Sequence, residues 1–548
     1  MNPSPQNNNE PLTEAYWPAD RLPADPMVSA DLTVGDLLRR AAGMYGDRVA
    51  LVEGAPDPAD RRRWTYSELL ADAELTARAL TRRFSPGEHI AVWAPNVPEW
   101  LLLEFGAALA GLVLVTVNPA LKPEEVGYVL RRSNAAGLFL LREFRGNPMA
   151  QTADQLRGEL PDLREVVELD RWEDFVAGVD PASELPTVNP HQPAQIQFTS
   201  GTTGFPKGAT LAHRSIVGNA RLVTQRLQVR PEHPVWVNPM PLFHTGGCVL
   251  GALGALWLGA THVLPVQFDP ALVLELVEAE AADLCSGVPT MLIALMDHPS
   301  RAERRLDTLD RVVAGGALVP APLVERIEKE LGVRFTNVFG QTECSPVATM
   351  VDPHDSLLDK ATTVGRSLPH VETKVIDTAT GETVGIGVTG EFCTRGFHVM
   401  IGYHGDPEAT GATIDADGWL HTGDLCSMDE RGYVTVEGRL KDMIIRGGEN
   451  IYPREVEEFL YTHPDIQDVQ VFGIPDEKYG EQVCAWIKPR PGAMLDAEQL
   501  KAFCRKQITH FKVPQYIRFV DEFPMTVTGK IQKFRMREAM IAQLEAAG

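Results

Sequence analysis

Long apolar runs are scarce in this chain of 548 residues. The two richest stretches, "FGAALAGLVLVTV" and "GGCVLGALGALWLGA", each fall short of the roughly 18 residues that a membrane-spanning helix requires. Both are read as buried core, and no transmembrane anchor is expected. Cysteine is also sparse. Cys248, Cys285, Cys344, Cys393, Cys426, Cys484 and Cys504 are scattered, with no C-x-x-C pair. That spacing argues against a zinc site or a disulfide framework and fits a reducing cytosol. Basic charge is in deficit: 51 Lys and Arg against 74 Asp and Glu leave a net charge of −23, which disfavours a broad nucleic-acid surface. The opening "MNPSPQNNNE" has no apolar core, so it is no signal peptide and reads as a disordered tail. There is no internal repeat and, beyond those ten residues, no low-complexity segment.

One further absence is more informative. The stretch "TSGTTGFPKGAT" (199–210) is rich in Gly and Thr, yet it is no ordinary P-loop. Pro206 precedes Lys207 and Gly208 follows it, where the pattern G-x-x-x-x-G-K-[ST] needs Gly and a hydroxyl residue. A surface turn and another kind of phosphate cradle both remain open on these residues alone. Net acidity excludes neither, because one triphosphate needs only a few local cations and backbone N–H groups.

Composition is that of an ordinary globular protein, with 44% hydrophobic and 23% charged residues, and the length allows three or four structural units. From residue 30 to about 350, helical and β-like patterns alternate. "TYSELLADAELTARALTRRF", with Thr65 and Glu68 as a capping box, precedes the strand "HIAVWAP". "PEEVGYVLRRSNA" precedes "AGLFLL", and "PALVLELVEAEAA" precedes "DLCSGVP". This alternation predicts an α/β fold with largely parallel sheets. From "VGRSLPHVETKVID" to "GYVTVEGRL" short strands are broken by Gly and Asp-Gly turns, a mostly β section. Beyond about residue 440, "PREVEEFLYTHP" and "DAEQLKAFCRKQI" read as helices and "IQDVQVFGIP" and "EQVCAWIKP" as strands, enough for a small separate domain.

The Gly-rich stretch has company. In order follow "NPMPLFHTGG" (238–247), "VVAGGALVP" (312–320), "NVFGQTECSP" (337–346), "DGWLHTGDL" (417–425), "GRLKDMIIRGGENIYPREVE" (438–457) and "PMTVTGKIQK" (524–533). At these residues, and in this order, the chain resembles the adenylate-forming acyl-CoA synthetase family, also called the AMP-binding family, from about residue 30 to 540. "GRLKDMIIRGGENIYPREVEEFL" and "GQTECSPV" are most similar to its fatty-acyl branch.

The resemblance implies a large N-terminal adenylation domain of two α/β subdomains plus a β-rich section (29–439), after a partly disordered tail (1–28). A small mobile α+β domain (440–548) follows. Thr199, Ser200, Thr202 and Thr203 offer hydroxyls, while Gly201 and Gly204 let backbone N–H groups approach phosphate oxygens. Lys207 adds a point charge for the β- and γ-phosphates. The family's loop closes over ATP and then releases pyrophosphate, which accounts for so flexible a run. Glu343, with Thr202, resembles the family's magnesium site; hard cations prefer such oxygens. Thr342 would bond the α-phosphate. Phe339 stands where the family usually has tyrosine and would stack on adenine without the hydroxyl contact. Gly315, Gly316 and Ala317 would form the opposing wall, and Asn337, Gly340 and Gln341 complete the nucleotide site. Asp424 would accept hydrogen bonds from the ribose hydroxyls, with Arg439 donating opposite. His244 resembles the residue between the acyl pocket and the thiol's path, and the glycines after it are expected to leave pocket room. Lys530 matches the catalytic lysine, a cation aimed at charge that develops in the transition state. Lys441 falls at the family's hinge, and Gly447 and Gly448 would let the pantetheine thiol pass.

The expected reaction has two steps. A medium- or long-chain fatty acid and Mg-ATP give acyl-adenylate and pyrophosphate; the thiol of coenzyme A then gives acyl-CoA and AMP. Rival readings are an aryl-CoA ligase for cinnamate- or benzoate-like acids, a luciferase-like adenylating oxygenase and a carrier-loading module. A non-catalytic nucleotide sensor would be expected to lose Glu343 or Lys530. Eighteen residues follow Lys530 with no carrier domain among them, which favours free CoA. The expected setting is cytoplasmic, with peripheral membrane association and homodimerisation left open and no nucleic-acid partner.

Overall fold

In the computed structural model, residues 11–21, 31–199, 206–229, 233–316, 319, 321–447, 449–525 and 531–547 are described. They divide into two compact units, one of residues 17–373 and 394–421, the other of 11–16, 374–393 and 422–547. The opening ten residues lie outside the described set; part of the remaining N-terminal segment is ordered enough for Tyr16–Trp17 to form a short strand.

Local chemistry sets the helices of the first unit. Thr65 caps the helix Tyr66–Thr81: its hydroxyl accepts the Glu68 N–H at 3.2 Å, and the Glu68 carboxylate accepts the Thr65 N–H at 2.8 Å. Two otherwise orphaned donors are thereby satisfied. The apolar run that follows becomes the helix Pro98–Ala110, buried along its whole length. It stops at Gly111, whose left-handed φ of 69° suits a residue without a side chain, and the chain enters the buried strand Val113–Val117. Both apolar stretches are therefore core. Among the described residues no helix is long and apolar enough to cross a membrane.

Two large sheets form the first unit. One has seven strands, in the order Gly402–Tyr403, Lys207–Ala212, Pro193–Thr199, Val113–Val117, His89–Trp93, Ala135–Leu140 and Glu165–Glu168. The other has nine, running from Arg366–Ser367 and Thr349–Met350 through Arg334–Phe339, Arg311–Ala314, Leu284–Gly287, Val235–Val237, Thr261–Pro265 and Val49–Gly54 to Arg63–Thr65. Their centres are parallel, as the alternation predicts. One edge of the first sheet and both edges of the second are antiparallel, which the alternation did not show, while Glu165–Glu168 closes the other edge of the first sheet in parallel. A parallel crossover takes a dozen residues or more, and only residues 200–206 separate Pro193–Thr199 from Lys207–Ala212. So short a link can only return the chain as a hairpin.

In the second unit, Leu420–Met428 pairs antiparallel with Val434–Arg439. Farther along, Glu449–Ile451, Ile444–Arg446, Gly480–Pro489 and Ile466–Asp476 form a sheet, with Tyr516–Phe519 parallel to Gly480–Pro489. Helices Pro453–Tyr461, Ala497–Arg505 and Lys533–Ala547 accompany it. One side of the sheet is filled by Val456, Leu460, Val469, Val483 and Leu500, all buried. The seven cysteines are buried and unbridged.

Candidate active site

In open α/β sheets, ligands bind outside the carboxyl ends of the parallel strands. Two of the candidate stretches lie there side by side. Arg311–Ala314 runs in register with Arg334–Phe339, Ala314 opposite Asn337, so the Gly315–Gly316 step and Phe339 leave adjacent strand ends. A methyl group at Gly315 would come 2.6 Å from Val338 Cγ2, and Gly316 has φ +78°; both positions require glycine. Asn337 is buried, and its Oδ1 has no hydrogen-bond partner within the protein. An orphaned buried acceptor costs about 1–3 kcal/mol and suits a ligand that brings a donor, as an adenine amino group does. Ala317 lies outside the described residues.

After Phe339 the chain turns sharply. At Gly340 any side chain would meet the Pro346 carbonyl oxygen at 2.2 Å. The turn Thr342–Cys344, closed by the Cys344 N–H on the Gln341 carbonyl at 2.8 Å, buries Thr342 and Glu343. The Glu343 main-chain oxygen accepts the Met400 N–H at 2.9 Å, and its Oε1 accepts the Tyr403 hydroxyl at 2.8 Å. Burial, with Glu343 beside it, pushes that hydroxyl's pKa up, so Tyr403 stays a donor at neutral pH.

Tyr403 also reaches the Gly-rich stretch. Its strand pairs with Lys207–Ala212, Tyr403 opposite Ala209, and Lys207 Nζ lies over its ring, 5.1 Å from the centroid. Thr199 is opposite Lys207 across the hairpin, its hydroxyl 3.4 Å from the Lys207 carbonyl oxygen. Lys207, with Thr199 across the hairpin from it, and Glu343 are therefore joined through one tyrosine that sequence reasoning missed. The cue available was "MIGYHGDP", a Gly-Tyr step between turn residues; nothing in spacing ties it to a carboxylate 60 positions earlier. Ser200, Gly201, Thr202, Thr203 and Gly204 lie outside the described residues.

His244 precedes a stretch of π-helix, Gly246–Leu253, a feature frequent at functional sites. Its Nδ1 accepts the Gly246 N–H at 3.1 Å, which assigns the ring proton of the neutral tautomer to Nε2. Two of the glycines that follow are approached closely by the protein's own atoms. A methyl at Gly247 would sit 2.2 Å from the Pro241 carbonyl oxygen, and one at Gly251 would sit 1.6 Å from Asn238 Nδ2. They admit neighbouring protein atoms. Below lies a buried polar chain: Gln195 donates to Glu104 at 2.7 Å, Gln197 donates to Gln195 at 2.8 Å, and Gln197 Nε2 is 3.2 Å from Cys248 Sγ. Cys248 in turn is 3.4 Å from the His244 carbonyl oxygen. Burial pushes the Glu104 carboxyl well above the usual range.

In the second unit, register alone brings Asp424 opposite Arg439. Arg439 Nε is 2.9 Å from Asp424 Oδ1, with the carboxylate buried and the guanidinium one-third exposed. Gly423, at φ +68°, donates to Glu391 at 3.0 Å, and Asp424 N–H reaches the Thr422 hydroxyl at 3.1 Å; these bonds fix the carboxylate's direction. Lys441 is exposed on the turn Leu440–Asp442. Gly447, at φ +62°, donates to the Tyr479 carbonyl at 2.7 Å. Gly448 and Lys530 lie outside the described residues.

With this geometry in hand, comparison with known proteins decides the family. Residues 38–404 match the model of the AMP-binding enzyme, and 455–530 match the AMP-binding enzyme C-terminal domain. The chain belongs to the AMP-binding enzyme family. It is 40% identical over 538 residues to YngI of Bacillus subtilis, covering 93% of this chain and 97% of that protein. It is 38% identical over 546 residues to the mitochondrial medium-chain acyl-CoA ligase ACSF2 of Rattus norvegicus, covering 94% and 88%. Its fold is similar to that of the anthranilate CoA ligase AuaEII in complex with anthranoyl-AMP, at TM-score 0.84 and 27% identity over 94% of this chain and 98% of that one. The resemblance drawn from the ordered motifs holds, and with it the class of AMP-forming acyl-CoA synthetase using ATP, Mg2+ and CoA.

Proposed function

We propose that the chain activates a medium- or long-chain fatty acid. Carboxylate oxygen attacks the α-phosphorus of ATP and pyrophosphate leaves; CoA sulfur then attacks the acyl carbonyl and AMP leaves. The observation that carries the site assignment is the gathering of Lys207, Tyr403 and Glu343. In this reading Thr199, Lys207 and the hydroxyls of the Gly-rich stretch hold the phosphates, and Thr342 bonds the α-phosphate. Phe339, Gly315, Gly316 and Asn337 receive the adenine, while Asp424 and Arg439 hold the ribose. Glu343, with Thr202, would hold magnesium, which supplies charge neutralisation at the phosphates. His244 stands toward the acyl group, held from below by the Glu104–Gln195–Gln197–Cys248 chain. The buried, unbridged thiols support a cytoplasmic setting.

The match to ACSF2 supports the fatty-acyl branch. The likeness to AuaEII keeps an aromatic acid as the second reading. A panel of acids assayed by pyrophosphate release, with and without CoA, separates them. Catalytic efficiency should rise beyond acetate, with each buried methylene adding about 0.8 kcal/mol until the pocket ends. Preference for benzoate or cinnamate over octanoate and dodecanoate would overturn the fatty-acyl reading.

We further place the boundary of the mobile domain near residue 440, with Lys441 as hinge. One small site must serve two reactions with different steric and electrostatic demands, so a bistable element alternates them. Lys441→Pro, which fixes φ near −65° and removes an N–H, should slow thioester formation from supplied acyl-adenylate more than adenylation. Lys441→Ala should be much milder. Stopped-flow rates of each half-reaction decide it: if proline slows neither, the hinge lies elsewhere.

A further inference from the structure

Beside the candidate phosphate site, within the same unit, is a polar cavity of about 190 Å³. Tyr128, Arg132, Lys207, Tyr403, His404 and Asp406 line it. In a protein of net charge −23, a cavity with two permanent cations and one carboxylate is a local reversal of sign. The carboxylate is partly committed elsewhere: Asp406 Oδ1 accepts the Ala409 N–H at 2.9 Å and caps the helix Pro407–Thr413. Its Oδ2 lies 4.0 Å from Arg132, a separation that leaves guanidinium donors available. Lys207 meets the face of the Tyr403 ring rather than a carboxylate. The Tyr128 hydroxyl donates to the Pro206 carbonyl at 3.0 Å, fixing the returning end of the Gly-rich stretch at the cavity wall. Tyr403 is shared: its ring lines the cavity and its hydroxyl is on Glu343. The cavity is thus one side chain removed from the candidate magnesium carboxylate.

We propose that this cavity is a holding site for inorganic pyrophosphate, in which Arg132 and Lys207 take up the anion once adenylation has released it from beside Glu343. The inference rests on the adenylation reading for the origin of the anion, and on the cavity alone for its binding. Lys207 serves both positions, so a short movement of the anion keeps one charge contact throughout. Arg132 contributes only on the exit side.

Calorimetric titration of sodium pyrophosphate into the full-length protein tests this. Arg132→Gln should weaken binding about tenfold, the loss of one charge-assisted contact. Asp406→Asn keeps a good helix cap and removes the competing charge, so binding should tighten severalfold. These opposite signs are the signature. Unchanged affinity in Arg132→Gln, or weaker binding in both variants, would overturn the proposal, the latter because it reports general damage. Acid-dependent ATP–pyrophosphate exchange by the wild type checks the adenylation reading separately. If exchange is absent but the two variants still shift pyrophosphate affinity in opposite directions, the adenylation reading fails and the anion site stands.

Discussion

Lys530→Ala should lower the rate of acyl-adenylate formation by roughly 10²–10³, about 3–4 kcal/mol, the usual cost of one preorganised donor to a developing oxyanion. Attack of the carboxylate concentrates negative charge on acyl and phosphate oxygens at the same moment. A lysine held there acts mainly in the transition state, so kcat for adenylation should fall far more than KM rises. The thioester half-reaction, started from supplied acyl-adenylate, should proceed at nearly the wild-type rate. Pyrophosphate release with a saturating acid measures the first step, and CoA-dependent AMP release from synthetic adenylate measures the second. Equal loss in both would assign Lys530 to folding or general binding. The prediction comes from "TVTGK" and its place in the chain.

Glu343→Gln should reduce adenylation by about 100-fold or more, since neutralisation of phosphate charge by a bound metal is worth several kcal/mol. The amide has the size of the carboxylate, and its oxygen can still accept the Tyr403 hydroxyl now 2.8 Å from Glu343 Oε1. The fold should survive, with little change in Tm. What disappears is a hard anionic ligand, so the variant should need much more Mg2+ for half-maximal rate. Nucleotide-dependent Mg2+ binding, followed by calorimetry, should weaken in parallel. Tyr403→Phe provides the contrast: it keeps the ring under Lys207 and loses only the hydroxyl that orients the carboxylate, so its effect should be much smaller. Wild-type Mg2+ dependence in Glu343→Gln would remove Glu343 from the metal site.

The two predictions draw on different sources. Lys530 is legible as a candidate because the neighbouring Gly and Thr form a recognisable local pattern. Glu343 is legible for the same reason, but its surroundings are not. The contacts of Glu343 with Met400 and Tyr403 arise from a strand added to the sheet edge about sixty residues later in the chain. No periodicity spans such a distance. The glycines after His244 show the same dependence on packing. The sequence singles them out, but only the fold shows that Pro241 lies against Gly247 and Asn238 against Gly251. A glycine reports that something comes close; only packing tells whether that is a ligand or the protein itself.

The sequence by itself determined what local forces settle. The capping box at Thr65, the buried helix Pro98–Ala110, the strand runs and the alternation that makes an α/β fold all depend on residues within a few positions of one another. The opposition of Asp424 and Arg439 is secured by the register of one hairpin. Tertiary structure decided the rest: the strand Gly402–Tyr403 added antiparallel to a sheet edge, the placing of Gly315 beside Phe339's strand end, the tyrosine that joins Lys207 to Glu343, and the cationic cavity behind it. Each of these brings together segments far apart in the chain. Their association is set by burial and by hydrogen-bond satisfaction across the whole unit, and these forces depend on which surfaces meet in space rather than on neighbouring residues.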